Sequence, residues 1–211
     1  MPIPPCPKPR RPATTVLPVA FGPAAWAALA CLAFLVGCRE TRPEPVRTAN
    51  AAYGFSIVLP PGWTPFEETT RDCLVRVGAE NGHGGLVYVC VQHRPTDFAT
   101  SKSEFVNREQ IKSYVETTLL GRNVECRHVT VQGCPAYEAL YLRNVEGPSG
   151  GVRAQFVNQT FLVRGNLLYA LTSYAMGETE AAAHAHFNAF SDLALRSVMS
   201  FFLHAPPSPP H

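Results

Sequence analysis

Two long strand-like stretches meet at Gly165-Asn166, and this pattern constrains the fold more than any other part of the chain. Val152 to Val163 and Leu167 to Met176 both show a strand pattern. Gly-Asn between two such stretches is a strong signal for a two-residue hairpin turn. The pattern therefore predicts an antiparallel hairpin that pairs Leu162 with Tyr169 and Val157 with Tyr174.

A second hairpin is predicted earlier in the chain, where Cys73 to Val77 and Leu86 to Gln92 flank the Gly-rich loop Ala79 to Gly85. If Val77 faces Leu86, antiparallel pairing places Cys73 opposite Cys90. Directly opposed residues have Cβ atoms roughly 4.5–5.5 Å apart, which is close to disulfide reach. We therefore expect a disulfide between Cys73 and Cys90.

A third hairpin is predicted from Val124 to Val131 and Tyr137 to Arg143, with its turn at Gln132-Gly133. This register opposes Cys126 to Ala139 and puts Cys134 beside Val131 on the other face of the sheet. A Cys126–Cys134 bond would need an irregular start to the second strand. The pairing of these two cysteines is therefore left open.

Two helices complete the pattern. The first follows a capping box at Ser101-x-x-Glu104 and is expected to stop at Gly121. The second is expected from about Thr179 to Phe202 as one helix with a single apolar stripe. The apolar positions are Val106, Ile111, Val115 and Leu119 in the first helix, and Ala183, Phe187, Phe190, Ala194, Val198 and Phe201 in the second.

A short strand from Phe55 to Leu59 precedes these elements and ends at Pro60-Pro61-Gly62. Trp63 follows, and we expect it to fill the core at the sheet edge; the alternative is an exposed contact residue. The order is strand, hairpin, helix, two hairpins, helix. This order predicts an α+β fold, in which helices pack on a central, mostly antiparallel sheet.

The N-terminal region predicts export and a lipid anchor. A short basic segment, Lys8 to Arg11, is followed by an apolar run without charge. This run ends at Leu35-Val36-Gly37-Cys38, the pattern of a bacterial lipobox cleaved before the cysteine. Cys38 would then carry the lipid. The alternative is a retained transmembrane helix from Val16 to Leu35, which is long enough to cross a bilayer but contains two prolines.

Cleavage before Cys38 changes the charge of the chain. The precursor has 18 basic and 16 acidic residues, and residues 1–37 contain three of the basic and none of the acidic ones. The mature chain therefore has 15 basic and 16 acidic residues. This balance gives no basic surface for nucleic acid, which is not an expected partner.

Cysteine usage agrees with export. Of seven cysteines, Cys6 and Cys31 would leave with the signal peptide and Cys38 would be lipidated. The remaining four are an even number in a compartment where disulfides persist. They form no CxxC pair, and their spacing does not match a zinc site. We expect neither a metal nor a cofactor.

The chain is expected to divide into four parts. Residues 1–37 form the signal peptide, and residues 38–52 form a charged, flexible tether. Residues 53–203 form the folded domain. Residues 204–211 form a disordered, Pro-rich tail.

The folded part resembles the PsbP-like domains of the Mog/PsbP superfamily. The likeness lies in Gly54 to Trp63, where a short strand leads into Pro-x-Gly-Trp, in the hairpin segment Val129 to Ala136, and in the closing Leu195-Arg196-Ser197-Val198. The resemblance implies a small α/β/α sandwich with a central antiparallel sheet, used mainly for binding and assembly. It supplies no catalytic residues.

We therefore expect a non-catalytic lipoprotein of the bacterial cell envelope, facing the periplasm or exterior. Its expected partners are the membrane, through the lipid, and an unidentified envelope protein or component bound by the sheet edge or loops. The alternative is an envelope hydrolase or thiol enzyme, with a site gathering Cys126, His128 or His83 with a carboxylate. His184 and His186 lie two apart on a predicted helix and point in different directions, which disfavours a shared metal.

Overall fold

The structure, a computed structural model, describes residues 44–95, 107–147 and 150–204. Their largest element is a seven-stranded antiparallel sheet with the strand order β3-β4-β5-β9-β8-β7-β6. The strands are β1 (Val46–Asn50), β2 (Phe55–Leu59), β3 (Thr64–Glu68), β4 (Val75–Glu80), β5 (Gly85–His93), β6 (Arg122–Val131), β7 (Cys134–Glu146), β8 (Val152–Arg164), β9 (Leu167–Gly177) and β10 (Phe202–Leu203). The helices are α1 (Arg108–Thr117), α2 (Glu180–Asn188) and α3 (Ser191–Ser200).

The two long hairpins have the predicted registers. In β8–β9, Leu162 pairs with Tyr169 and Val157 with Tyr174. In β6–β7, Cys126 pairs with Ala139. The β6–β7 turn has positive φ angles at both Gln132 and Gly133, 49° and 78°, as expected for a tight hairpin turn whose twist matches that of the strands.

The predicted register of the β4–β5 hairpin is wrong. Val77 pairs with Val89 rather than Leu86, and Cys90 faces Arg76 rather than Cys73. The strands continue to the pair Glu80–Leu86, because the Asn81 side chain closes a shorter turn than predicted. Its Oδ1 accepts hydrogen bonds from the backbone N–H groups of His83 at 2.8 Å and Gly85 at 2.9 Å.

The described part of α1 begins at a different cap from the one predicted. Asn107 accepts a hydrogen bond from the Gln110 backbone at 2.8 Å, and the Gln110 side chain accepts one from the Asn107 backbone at 3.2 Å. Ser101, Glu104 and Val106 lie outside the described residues. At the other end, Leu120 has the left-handed backbone, with φ 57°. Gly121 is needed for close packing, because a Cβ there would lie 2.6 Å from Val115 Cγ1.

The predicted C-terminal helix is two helices and a strand. The chain breaks between α2 and α3 at Phe190, whose φ of −130° and ψ of 8° are not helical. The predicted stripe is nevertheless buried at all six positions, because the break does not turn it away from the sheet. Phe202–Leu203 forms β10, which pairs with β2.

The structure also corrects the predicted tether, 38–52. Val46–Asn50 lies within it and forms β1, which pairs along its whole length with β2. The segment is polar, but its backbone N–H and C=O groups form hydrogen bonds with β2 at the sheet edge. An edge strand of this kind needs to bury few apolar side chains. The three-stranded sheet β1-β2-β10 results. Residues 1–43 and 205–211 lie outside the described residues.

The two faces of the large sheet contact different elements. One face packs against β2 and the helices α2 and α3; its core includes Phe55, Ile57, Val89, Leu171 and Phe201. Trp63 is half-buried there, with its ring centroid 5.1 Å from that of Phe190. The opposite face, here called the α1 face, packs against α1. Layers therefore lie on both sides of a central antiparallel sheet, which confirms the predicted α+β architecture.

Candidate functional site

Helix α1 covers only one side of the α1 face. It packs mainly on β6 and β7, where its fully buried side chains Ile111 and Val115 contact Cys126, Ala139 and Phe161. Over β4, β5 and β9, no helix of the described residues lies on this face. The uncovered part of the sheet forms the floor of an open cleft.

We call this the tyrosine cleft. It has a volume of about 1010 Å³, the size of the clefts that bind small organic ligands. Four elements meet around it: the sheet, the end of α1, the loop before β4 and the residues after α1. Its lining includes Arg71, Asp72, Cys73, Arg76, Tyr88, Cys90, Gln92, His93, Tyr114, Tyr141, Arg143, Gln159 and Tyr174.

The floor of the tyrosine cleft is polar although it is buried in the middle of the sheet. Gln159, only 8% exposed, accepts a hydrogen bond from the Tyr141 hydroxyl at 2.8 Å. The Gln159 amide donates to the Thr172 hydroxyl at 2.9 Å. Nearer α1, the Gln92 amide donates to the Tyr114 hydroxyl at 3.1 Å. These hydrogen bonds hold the side chains in place, because breaking one would leave a buried polar group without a partner at a cost in free energy.

Arg76 is held against two aromatic rings at one side of the tyrosine cleft. Its guanidinium carbon lies 4.1 Å from the Tyr88 ring centroid and 5.2 Å from that of Phe66. Its Nη1 donates to Glu68 at 2.9 Å. Gly78 lies between Phe66 and Tyr88 in the sheet, and a Cβ there would come within 2.4 Å of Tyr88 Cβ. Glycine is therefore required for the Tyr88 ring to lie beneath Arg76.

Three tyrosines of the cleft, Tyr114, Tyr141 and Tyr174, are neutral at physiological pH. Burial raises the pKa of Tyr114, Tyr141 and Tyr174 above the ordinary value of 10.0. The positive charges of Arg76 and Arg143 partly oppose this rise at Tyr174. The phenols therefore supply hydroxyl groups that donate and accept hydrogen bonds and add no negative charge.

The disulfide between Cys73 and Cys90 lies in the wall of the tyrosine cleft. The two Cα atoms are 5.5 Å apart. The predicted register made Cys73 and Cys90 a facing pair of strand residues. In the structure Cys90 faces Arg76 instead, and the bond joins a strand residue to a loop residue. Cys73 precedes β4, in a loop closed by hydrogen bonds between Thr70 and Cys73, both 3.1 Å. The bond therefore fastens this loop to the middle of β5.

The residues of the alternative thiol site are not gathered together. Cys126 and Cys134 are free, and burial under α1 raises the pKa of the Cys126 thiol. His128 is exposed, with its ring 5.4 Å from that of Tyr137. His83 lies in the β4–β5 turn, and β5 and β6 are four strand positions apart, roughly 19 Å at 4.8 Å per strand.

The histidines of α2 also lie apart from one another. His184 packs its ring 4.8 Å from that of Phe156, and His186 bonds the Met176 carbonyl at 2.8 Å. Among the described residues, no group of three His, Cys, Asp or Glu side chains could hold a metal ion. No helix in the same ranges is long and apolar enough to cross a membrane. Cys38 lies outside those ranges.

The sequence did not point to the tyrosine cleft. Most of its residues come from β4, β5, α1, β7, β8 and β9, where they occupy ordinary strand or helix positions, and the others come from the loop before β4 and the residues after α1. The available signal was a row of polar and aromatic side chains, Tyr88, Gln92, Gln155, Gln159 and Tyr174, at strand positions with buried neighbours. The predicted binding surfaces were the sheet edge and the loops, whereas the cleft lies on the sheet face beside one loop.

A solved structure shares this fold. The solution structure of cyanobacterial PsbP (CyanoP) from Synechocystis sp. PCC 6803 aligns with a TM-score of 0.51 at 12% identity, covering 80% of this chain and 98% of that one. The fold is PsbP-like. The Ran-binding protein Mog1p of Saccharomyces cerevisiae gives 0.47 at 15% identity, covering 76% and 96%. LpqN of Mycobacterium tuberculosis gives 0.45 at 10% identity, covering 77% and 91%.

The similarity to CyanoP confirms the fold that the sequence resemblance implied. At 12% identity it establishes the fold alone. No protein-family model matches the chain. No curated protein matches it either.

Proposed function

We propose that this protein is a non-catalytic binding module of the bacterial cell envelope, held there by a lipid on Cys38, and that the tyrosine cleft is its binding site. The tyrosine cleft itself is the observation that carries the proposal. Its polar groups are fixed by hydrogen bonds to one another and by the sheet, which is the pre-organisation that binding requires. Its two cysteines are joined to each other, and burial raises the pKa of the Tyr114, Tyr141 and Tyr174 phenols.

The disulfide supports the envelope location. Such bonds persist in the periplasm and at the cell surface, and are rare in the reducing cytosol. The bond between Cys73 and Cys90 therefore agrees with an exported protein. Two or more acyl chains on Cys38 would anchor it stably, whereas one gives only marginal binding.

The short tether limits where a partner can lie. With β1 beginning at Val46, only residues 39–45 separate the lipidated cysteine from the folded domain. Seven residues span at most about 25 Å when fully extended. The binding site would therefore work close to the membrane surface, on a membrane-proximal component of the envelope.

Anchoring is tested by Cys38→Ala. We expect the variant to move from the membrane fraction to the soluble fraction, because the only predicted acylation site is lost. Labelled palmitate should enter the wild type and not the variant. A variant that stays in the membrane would instead support the transmembrane helix from Val16 to Leu35.

Use of the tyrosine cleft is tested by site-specific photo-crosslinking in cells. A photoreactive amino acid at position 71, at the exposed rim of the cleft, is compared with one at position 199, on the exposed side of α3. We expect a discrete adduct from position 71 that is absent from position 199. The same adducts from both positions, or none from position 71, would contradict binding of a macromolecular partner at this cleft.

A further inference from the structure

The lining of the tyrosine cleft carries an excess of positive charge. Three arginines, Arg71, Arg76 and Arg143, and one aspartate, Asp72, line it. Because Arg76 is paired with Glu68, the excess over Asp72 comes from Arg71 and Arg143. Tyr114, Tyr141 and Tyr174 remove none of this charge, because burial raises their pKa. An excess of fixed cations in a concave, partly buried site favours an anionic ligand.

Arg143 is the cation best placed to receive that ligand. It is half-buried on β7, and its Nε donates to the Gln155 side chain, which is 3% exposed. No carboxylate of the described residues lies within ion-pair distance of its guanidinium. A neutral amide therefore orients the side chain and leaves its charge uncompensated. Arg153, by contrast, is paired with Glu178 at 2.7 Å.

Arg76 approaches the same place from the other side. Strand β9 lies two strands from β4, which carries Arg76, and two strands from β7, which carries Arg143. Tyr174 on β9 lies between them, and both charges act on its phenol. The Nε of Arg76 is buried and has no hydrogen-bond acceptor among the described residues. A buried donor without a partner marks a place where a ligand or water completes the bonding.

We propose that the tyrosine cleft binds a small organic anion, a carboxylate or phosphate carried on a sugar or aromatic ring, between Arg143 and Arg76 at the Tyr174 hydroxyl. The inference rests on the proposed use of this cleft as the binding site. The anionic group accepts charge-assisted hydrogen bonds from the arginines. The ring lies on the aromatic floor, and its polar substituents bond the tyrosine hydroxyls.

The test is calorimetric titration of the full-length chain in detergent with matched charged and neutral probes. The sugar probes are glucuronate, glucose 1-phosphate and glucose, and the aromatic probes are benzoate and benzamide. We expect at least one charged probe to bind about tenfold or more tightly than its neutral counterpart, since hydrogen bonds to charged groups are worth this factor or more. Comparison of the probes separates a carboxylate from a phosphate and a sugar from an aromatic ring.

Three variants locate the charge that is responsible. Arg143→Gln should weaken binding of the charged probe about tenfold or more and leave the neutral probe unchanged. Arg143→Lys, which keeps the charge, should retain part of the affinity. Arg196→Gln, the matched control, removes an exposed arginine from α3 on the other side of the sheet and should change nothing. Unfolding midpoints of all three show that the variants are folded.

The inference is overturned if no charged probe binds, if neutral probes bind equally well, or if Arg143→Gln and Arg196→Gln have the same effect. The titration and the crosslinking experiment can fail independently, so failure of the ligand proposal is distinguishable from failure of the proposed function. A discrete crosslink from position 71 without any anion binding would leave the binding role intact and refute the ligand class. Anion binding that is lost in Arg143→Gln, without a crosslink, would support the ligand class and argue against a macromolecular partner.

Discussion

Replacing both Cys73 and Cys90 by alanine should destabilise the folded domain by about 3 kcal/mol. The bond closes a loop spanning 17 residues of sequence, and the chain-entropy relation for a loop of this length gives that value at 25 °C. The side chains themselves add less, because alanine keeps their Cβ atoms at the edge of a core that Ile111, Phe161 and Leu168 fill.

This loss is a substantial fraction of an ordinary stability of about 5–15 kcal/mol, yet it should not prevent folding. For a domain of this size, about 3 kcal/mol corresponds to a fall in the melting temperature of roughly 6–12 °C. The loop before β4 should also loosen. Since Arg71, Asp72 and Cys73 line the tyrosine cleft, anion binding should weaken in the same variant.

Denaturant unfolding under oxidising and reducing conditions checks the magnitude. A reducing agent should lower the unfolding midpoint of the wild type to that of the double variant and should not affect the variant. Cys134→Ala, which removes a free and half-buried cysteine, is the control and should keep its response to reduction. A wild-type midpoint that does not change on reduction would refute the loop-closure argument.

Three other changes probe separate parts of the fold. Ile111→Ala removes a fully buried side chain beneath α1 and should lower the free energy of unfolding by about 2–5 kcal/mol in denaturant titrations. Gly177→Ala would place a Cβ 2.4 Å from the Ala183 backbone nitrogen, so we expect a loss of about 1–3 kcal/mol and weaker protection of α2 amides from hydrogen exchange. Burial raises the pKa of Tyr141 above the ordinary 10.0, so its contribution to stability should be complete below pH 10 and should decline as the pH rises further; Tyr141→Phe should reduce this decline in alkaline unfolding curves.

The sequence was sufficient where pairing is set by a short turn of defined chemistry. Gly165-Asn166 and Gln132-Gly133 each allow few backbone arrangements, so the flanking pairs follow directly, and both registers are confirmed. A longer Gly-rich loop does not fix the register in this way. The predicted β4–β5 pairing is wrong because Glu80 extends the strand and the Asn81 side chain closes the turn.

The disulfide illustrates how a residue pair can be right when the reasoning for it is wrong. The predicted register placed Cys73 and Cys90 directly opposite each other, whereas Cys73 lies in a loop that folds over the α1 face. The tertiary fold brings Cys73 and Cys90 within bonding distance whether Cys73 lies on the strand, as predicted, or in the loop, as observed. Loop conformation depends on contacts such as Thr70 with Cys73, which periodicity does not show.

The tyrosine cleft could not be predicted from local patterns, because its residues are joined only by the strand order. Arg76 and Arg143 are far apart in sequence and act on the same phenol only because β4 and β7 flank β9 at equal distance. Predicting this arrangement requires the order β4-β5-β9-β8-β7. Hairpin signals give neighbouring pairs of strands and do not show that β9 pairs with β5.

The open cleft follows from a mismatch in size between one helix and a wide sheet. Seven strands at about 4.8 Å spacing span roughly 29 Å, whereas a single helix with its side chains is about 10–12 Å across. Helix α1 can therefore seal about two strands, and it does so over the part of β6 and β7 where Cys126 and Ala139 are buried with it. The strands beyond it would expose apolar side chains to water if the pattern continued. The chain instead places Gln159, Tyr174 and Arg76 there. This change from apolar to polar lining makes the part of the face that no described helix covers suitable for a polar, charged ligand.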